Sequence, residues 1–275
     1  MSKFTKINKW YIAQKRETEC WDLIKDKIFS VEYQLAKKKY WESVIEKIRK
    51  YIKGNRILDI GCGPTGIFIS PFFTNTDKYL KTGIDSLMAH YLENYPFLKE
   101  MKVNWINAPF ENYAFKESFD TVFIFNALDH TQNPELVIQK INHILTPNGV
   151  VVISLNIYNQ KLIKMVIEKI PFLDPLHPHK FYYEDLVTLL HKNGFKLIHT
   201  EKIDNLRIEL EKATSSIDFV THKKIQRNFK DFLFGVLRKI FFKTLEIIGY
   251  PVLAPSVHAK SILSEYLMIF RKIEN

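Results

Sequence analysis

The sequence predicts an α/β fold: a seven-stranded, mostly parallel sheet with helices on both faces, an N-terminal helical extension and a helical insertion before the last strand. Three observations predict it. From residue 56 onward, short β-rich runs alternate with stretches of helical periodicity, which is the pattern of parallel strands joined by crossover helices. The first run leads directly into Gly61-Cys62-Gly63-Pro64-Thr65-Gly66. A chain of 275 residues, 46% hydrophobic and 25% charged, fits one elaborated α/β domain better than two independent ones.

In chain order, Arg16 to Phe29 and Val31 to Tyr51 carry apolar residues at three- and four-residue spacing and read as helices. Trp10, Trp21 and Trp41 give this extension, residues 1–55, large surfaces to bury. Gly54-Asn55 ends the second helix, because both residues tolerate a left-handed backbone. Strands are predicted at Arg56 to Ile60, Lys81 to Asp85, Val103 to Ile106, Phe119 to Phe125, Val150 to Leu155 and Phe195 to Lys202. Between them lie helices that include Pro134 to Leu145 and Tyr183 to Lys192, the latter closed by Asn193-Gly194. The core thus spans 56–204, an insertion 205–262, and a final antiparallel strand, Glu265 to Lys272, falls within 263–275. There is no internal repeat or low-complexity tract.

The net charge of +10 is unevenly spread. The first 55 residues hold 14 Lys/Arg against 7 Asp/Glu, and residues 205–262 hold 10 against 5, which leaves −2 for the rest. The basic character belongs to the two additions. It points either to an acidic substrate or surface that they approach, or to ordinary solvated helix faces. Cys20 and Cys62 lack the paired spacing of a disulfide framework or zinc site. No apolar run approaches the roughly 20 residues of a membrane span, and Met1-Ser2-Lys3-Phe4 begins no secretory signal. A cytoplasmic protein is expected.

A ligand of a doubly wound sheet sits beyond the carboxyl ends of its strands. Glycines at the exit of the first strand let the backbone pass close to such a ligand, and the next helix offers free N–H groups. Here Asp59 precedes Gly61 by two residues and the second predicted strand ends in Asp85, placed to accept both hydroxyls of a ribose. Gly61, Gly63 and Gly66 also satisfy the Gly-x-Gly-x-x-Gly pattern of dinucleotide sites.

The run Ile57-Leu58-Asp59-Ile60-Gly61-Cys62-Gly63 resembles the first motif of class I S-adenosylmethionine-dependent methyltransferases. Phe119-Asp120-Thr121-Val122 with Asn126-Ala127-Leu128-Asp129-His130 is similar to the family's fourth motif, and Leu145 to Val152 to the turn and strand that follow. That company favours the methyl donor over a dinucleotide. The resemblance implies a Rossmann-like core in which Asp59 and the Gly61-Cys62-Gly63 loop hold the methionine part of the donor. It implies that Asp85 and Ser86 hold the ribose and that Ala108, Pro109, Phe110 and Glu111 face the adenine, with Asn126 completing the donor site. Pro109 stands where many members carry an aspartate, and Pro64-Thr65 departs from the shortest form of the loop. The implied cofactor is S-adenosylmethionine, released as S-adenosylhomocysteine.

Methyl transfer from a sulfonium is an in-line displacement, so positioning dominates. A hydroxyl acceptor also needs a base near neutral pKa, and His130, after the fourth strand, is the candidate. A structural role in its loop is the competing reading. Tyr158, His177, His179 and Tyr182 are candidates to line the acceptor pocket. His177 and His179 flank Pro178, but no carboxylate pair or HxxxH helix supports a coordination sphere, and no metal is expected. In Lys224 to Phe242 one helical face is apolar and another basic, so the segment 224–248 reads either as a lid or as a peripheral contact with the inner face of a membrane. The expected acceptor is a small or lipid-linked molecule, such as a glycan hydroxyl. RNA methylation is the second reading, motivated by the basic additions, although no RNA-binding module or Asn-Pro-Pro-Tyr motif is present. A non-catalytic donor-binding scaffold is the third.

Overall fold

The β-branched and aromatic runs become strands β1 (Arg56–Ile60), β2 (Leu80–Asp85), β3 (Asn104–Asn107), β4 (Phe119–Phe125), β5 (Leu145–Tyr158), β6 (Phe195–Lys202) and β7 (Leu263–Lys272). They are seen in a computed structural model that describes residues 3–174, 177–214, 229–247, 249–250 and 261–273. Across the sheet the order is β3-β2-β1-β4-β5-β7-β6. Neighbouring strands from β3 to β5 pair in parallel, while β7 runs antiparallel between β5 and β6. The direction of winding reverses between β1 and β4. Their carboxyl ends therefore open a crevice at the topological switch point.

The helices are α1 (Lys3–Leu23), α2 (Lys25–Phe29), α3 (Val31–Ile48), α4 (Pro71–Thr74), α5 (Met88–Asn94), α6 (Phe97–Glu100), α7 (Pro134–Ile144), α8 (Lys161–Lys169), α9 (Tyr183–Lys192), α10 (Asp204–Thr214) and α11 (Phe229–Ile247). Successive strand residues point to opposite faces, and both faces are covered. On one, Leu58, Val122, Ile124, Val151 and Ile153 pack against Val137, Ile138 and Ile141 of α7 and Leu186 and Leu190 of α9. On the other, Ile57, Phe123, Val152, Leu267 and Ile269 meet Trp41, Val44 and Ile48 of α3 and Leu206 of α10. Each such side chain, fully buried, contributes about 1.5–3 kcal/mol. Two covered faces explain why the strands read as continuous apolar runs.

Strand β5 runs Leu145–Tyr158 where Val150 to Leu155 was expected, β2, β3 and β7 shift by one or two residues at their ends, and the helical additions differ as well. The first helix begins at Lys3 instead of Arg16, because Trp10 and Ala13 are buried against the core, a tertiary contact that local periodicity does not show. It stops at Leu23, and Ser30 caps α3 by accepting from the Tyr33 N–H at 3.2 Å. Helix α10 opens the expected helical insertion one residue early, at Asp204. Helix α11 covers the predicted basic amphipathic segment from Phe229, and 224–228 lie outside the described residues. It docks through Phe241, Phe242 and Leu245 on a cluster around Tyr158, Ile167 and Leu173, with Phe234 stacked on Phe172 at 4.7 Å.

Candidate functional site

The crevice begins where β1 ends. Gly61 and Gly63 hold φ values of +64° and +53°, a left-handed conformation that costs a residue with a side chain. At Gly61 a Cβ would also stand 2.3 Å from the Ala127 Cβ. The loop is thus pressed against the β4 exit, as a close ligand approach requires. Trp41 of α3 fixes its far side by donating from Nε1 to the Thr65 carbonyl at 2.9 Å.

Two acids stand on this loop. Asp59 is buried at the end of β1, and burial pushes its carboxyl well above the usual carboxylate range; the Ile67 N–H opposes that shift and the nearby Asp85 charge adds to it. Asp85, at the end of β2, accepts from the Gly63 N–H at 3.0 Å and the Leu87 N–H at 2.8 Å. Burial first, then the charge of Glu17, raise its pKa to about 7 against those two hydrogen bonds. Cys62 is buried, and burial together with Asp85 and Asp59 raises its thiol well above the ordinary value. It cannot serve as a thiolate nucleophile at neutral pH.

Between these strand ends lies a cavity of about 70 Å³, bordered by Ile60, Gly61, Ile84, Asp85, Ser86, Ala108 to Glu111 and Asn126 to Thr131 except Leu128 and Asp129. Trp10, Gln14 and Glu17 of α1 cover it, and the Ser86 hydroxyl donates to Gln14 Oε1. Trp10 and Gln14 lie on the part of α1 that the sequence reading left outside its first helix, so this cover was not legible in the sequence. The predicted adenine segment has mixed placements. Ala108 N–H donates to the Asp85 carbonyl at 3.1 Å. Phe110 is buried in the core, and Glu111 Oε1 accepts from the Gln132 and Asn133 N–H groups, tying the loop after β3 to the loop after β4. Asn126, at φ +47°, donates from Nδ2 to Glu265 Oε1 and accepts from Asn156 at 3.2 Å.

A carboxylate at the end of β2, a Gly61 position with no room for a Cβ and a wall that includes Ala108, Pro109 and Ala127 suit an adenosyl group. The space as it stands does not admit one, since small-molecule pockets measure roughly 300 Å³ or more. The residues fit the group, while the space enclosed between them and α1 is smaller than it.

On the β4–β5 side, the structure brings together residues distant in sequence. His130 borders the cavity, with its Nδ1 buried and without a hydrogen-bond partner, 4.0 Å from Glu17 Oε2. Its ring meets that of His177 edge-on at 4.9 Å between centroids. Asp129 lies beneath both, 3.9 Å from His130 Nε2 and from His177 Nε2. His177 Nδ1 pairs with Asp174 at 2.7 Å. Burial alone would lower the pKa of His177, but that hydrogen bond and the charges of Asp129 and Asp174 outweigh it and raise the value. Burial likewise resists ionisation of Asp174, yet His177 and Lys180 hold its carboxyl well below the usual range.

The remaining candidates have other duties. Tyr158 is buried and donates to Asp174 Oδ2 at 3.0 Å. His179 ties down the loop, its Nε2 2.9 Å from the Thr131 carbonyl and its N–H on the Asp129 carbonyl. Tyr182 pairs by backbone with Tyr158, beneath the Lys161 ammonium. Asp129 and Asp174 were missed as site residues. Asp129 stood in the quoted motif beside His130, but nothing local announced Asp174.

A sequence profile described as a methyltransferase domain matches residues 33–200. The ubiquinone biosynthesis O-methyltransferase of Rickettsia canadensis (strain McKiel) is 28% identical over 118 residues, covering 41% of this chain and 49% of the relative. That of Rickettsia conorii (strain ATCC VR-613 / Malish 7) is 25% identical over 156 residues, covering 56% and 52%. The chain therefore spans about half the length of these curated relatives. Among solved structures, the cyclase SpnF superposes with a TM-score of 0.61 at 14% identity, covering 86% of this chain and 82% of that one. Haemonchus contortus phosphoethanolamine N-methyltransferase 2, in complex with S-adenosyl-L-methionine, gives 0.56 at 17%, covering 93% and 60%. At such identities these likenesses show the fold alone, and one of the proteins that share it is a cyclase.

Proposed function

The chain belongs to the family of methyltransferase domains, as a class I S-adenosylmethionine-dependent enzyme, and from that premise we propose that it methylates a hydroxyl group of a small or lipid-linked acceptor. The observation that carries this reading is His130, whose imidazole borders the donor cavity with a buried nitrogen that no protein group satisfies. The donor supplies an electrophilic methyl group on sulfur. Asp59, the Gly61–Gly63 loop and Asp85 hold and orient it, α1 excludes water, and His130 removes the hydroxyl proton. The O-methyltransferase names of the Rickettsia relatives support an oxygen acceptor.

Support for the lipid-linked form comes from α11. Leu233, Val236, Leu237 and Ile240 are exposed on this helix, and Arg238, Lys239 and Lys243 lie on it as well, the combination that seats a helix in an anionic membrane surface. No helix among the described residues is long and apolar enough to cross a membrane. The test is incubation of the protein and methyl-labelled donor with separate lipid, small-metabolite and RNA pools. Label should enter the lipid or metabolite pool and fall by about 10²- to 10⁴-fold with His130→Asn, the usual range for a lost general base. Label confined to RNA, or donor binding without turnover on any pool, sinks the reading.

A further inference from the structure

We propose that Asp129, His130 and His177 form a binding site for one divalent transition-metal ion, zinc in the first place, beside the donor cavity. Each offers a ligand atom, and these atoms lie within 4.8 Å of one another. Sequence spacing does not reveal the set, because it joins a dipeptide after β4 to a residue of the segment before α9. Four observations carry it.

The first is a deficit. Asp129 is 4% exposed, and its Oδ1 has no hydrogen-bond partner. A buried acceptor left unsatisfied is costly, and in folded proteins such an atom calls for an explanation. The second is orientation. Hydrogen bonding to Asp174 occupies His177 Nδ1 and leaves Nε2 presented to Asp129 Oδ2 at 3.9 Å; a carboxylate on the outer nitrogen is the usual support of a metal-bound imidazole. The third is that His130 presents its Nε2 to the same carboxylate, 3.9 Å from Asp129 Oδ1, while its Nδ1, without a hydrogen-bond partner, lies 4.0 Å from the Glu17 carboxylate.

The fourth is the chemistry of the donor set. Two imidazoles and one carboxylate select zinc and its neighbours over magnesium or calcium, which prefer all-oxygen shells. With N and O ligands about 2.0–2.2 Å from zinc, neighbouring ligand atoms stand roughly 3.3–3.6 Å apart. The present spacing is slightly wider, and small side-chain rotations close it. Three protein ligands leave a position open, as in catalytic zinc sites. That position adjoins the cavity that His130 borders, so an acceptor oxygen can occupy it. Its role in turnover rests on the O-methylation reading; the existence of the site does not. With the ion in place, His130 would act as a ligand and the ion would lower the pKa of the acceptor hydroxyl, its proton passing to the Glu17 carboxylate that lines the same cavity.

The test uses the full chain, stripped with a chelator, dialysed and titrated with zinc chloride by calorimetry and with cobalt(II) chloride by visible absorption. One ion per chain is expected, with cobalt bands of four- or five-coordinate intensity. Both signals should vanish in Asp129→Asn and His177→Gln and persist in His191→Gln, whose ring is on the exposed end of α9. Because a ligand variant can fail to fold, Asp174→Asn provides a second measure: all three ligands remain, and metal affinity should fall about 10- to 100-fold. No saturable binding, or equal binding by parent, His177→Gln and Asp174→Asn, overturns the site. Methylation assays before and after chelation then separate the two readings. Loss of turnover that zinc restores, with S-adenosylhomocysteine binding unchanged, supports the catalytic role. Full turnover by the stripped protein refutes that role and leaves the O-methylation reading with His130 as the base.

Discussion

The β1–β2 side of the crevice is made mainly of backbone, whereas the β4–β5 side is made of side chains collected from across the chain. On the first, the decisive features are two left-handed glycines, N–H groups of Gly63 and Leu87, and one acid at each strand end. On the second, Glu17, Asp129, His130, Asp174 and His177 come from α1, the turn after β4 and the segment before α9. A backbone cradle demands particular residues at fixed short spacing. A side-chain cluster demands only that the fold deliver them to one place. The first kind of site constrains what binds by shape and is shared by many chemistries on one fold, and the second kind sets which chemistry follows.

The sharpest way to break this comparison is Asp85→Ala. If the β1–β2 side alone holds the donor, the variant should lose the charge-assisted hydrogen bonds to the ribose, each worth about 1.5–3 kcal/mol, and S-adenosylhomocysteine affinity should fall by roughly 100-fold or more. Calorimetry measures it. Because the acid touches none of the histidine cluster, zinc affinity should stay at the parent value. Loss of both together would mean that the two sides are not separate devices.

That separation also explains what the sequence made legible. Strands β1, β4 and β6 and helix α9 fall on their expected residues, because apolar runs and Gly/Asn stops are local signals. The Asp59–Gly66 turn and Asp85 were legible for the same reason. Helix α1 before Arg16 was not, since its stabilising contacts, through Trp10 and Ala13, are tertiary. Nor was the role of Asp174, whose meaning comes only from the His177 ring 2.7 Å away. Tyr158 is instructive in between: the sequence offered it as an acceptor contact, and the fold aims its hydroxyl at Asp174.

A smaller effect tests the electrostatics of the donor side. Asp85 titrates near pH 7, first because it is buried and second because Glu17 on α1 faces it. An acid so raised holds its proton in the fold between about pH 4, its ordinary value, and pH 7, so the folded state binds more protons than the unfolded state across that window. Its contribution to stability therefore falls as pH rises from 4 to 7, and Asp85→Asn should flatten that part of the stability profile. Donor binding has the opposite sign. Ribose hydroxyls donate to the ionised carboxylate, so affinity should weaken as pH falls below 7, approaching about tenfold per pH unit. Removing the neighbouring charge with Glu17→Gln should move the midpoint to lower pH. A midpoint unmoved by that substitution would show that α1 is already clear of the site in solution.

The smallest effect bears on the hydrogen bond from Ser86 to Gln14, through which α1 meets the donor side. The cavity beneath Trp10, Gln14 and Glu17 is about 70 Å³, smaller than an adenosyl group, and a donor that enters by displacing α1 would bind only the open conformation. Apparent affinity is then the intrinsic affinity reduced by the fraction of molecules in that conformation. Gln14 holds the closed form by accepting from the Ser86 hydroxyl, and a hydrogen bond of this kind contributes about 0.5–1.5 kcal/mol net. Gln14→Ala should therefore raise the open fraction, tightening S-adenosylhomocysteine binding and speeding its association by roughly 2- to 10-fold. The change is modest but its sign is informative. A side chain that touches only the bound donor would weaken binding when removed, and a latch strengthens it. Stopped-flow quenching of tryptophan fluorescence reads the association rate, with Trp10 on the moving helix as the reporter, and a slower rate in Gln14→Ala would make that residue part of the cradle instead of its cover.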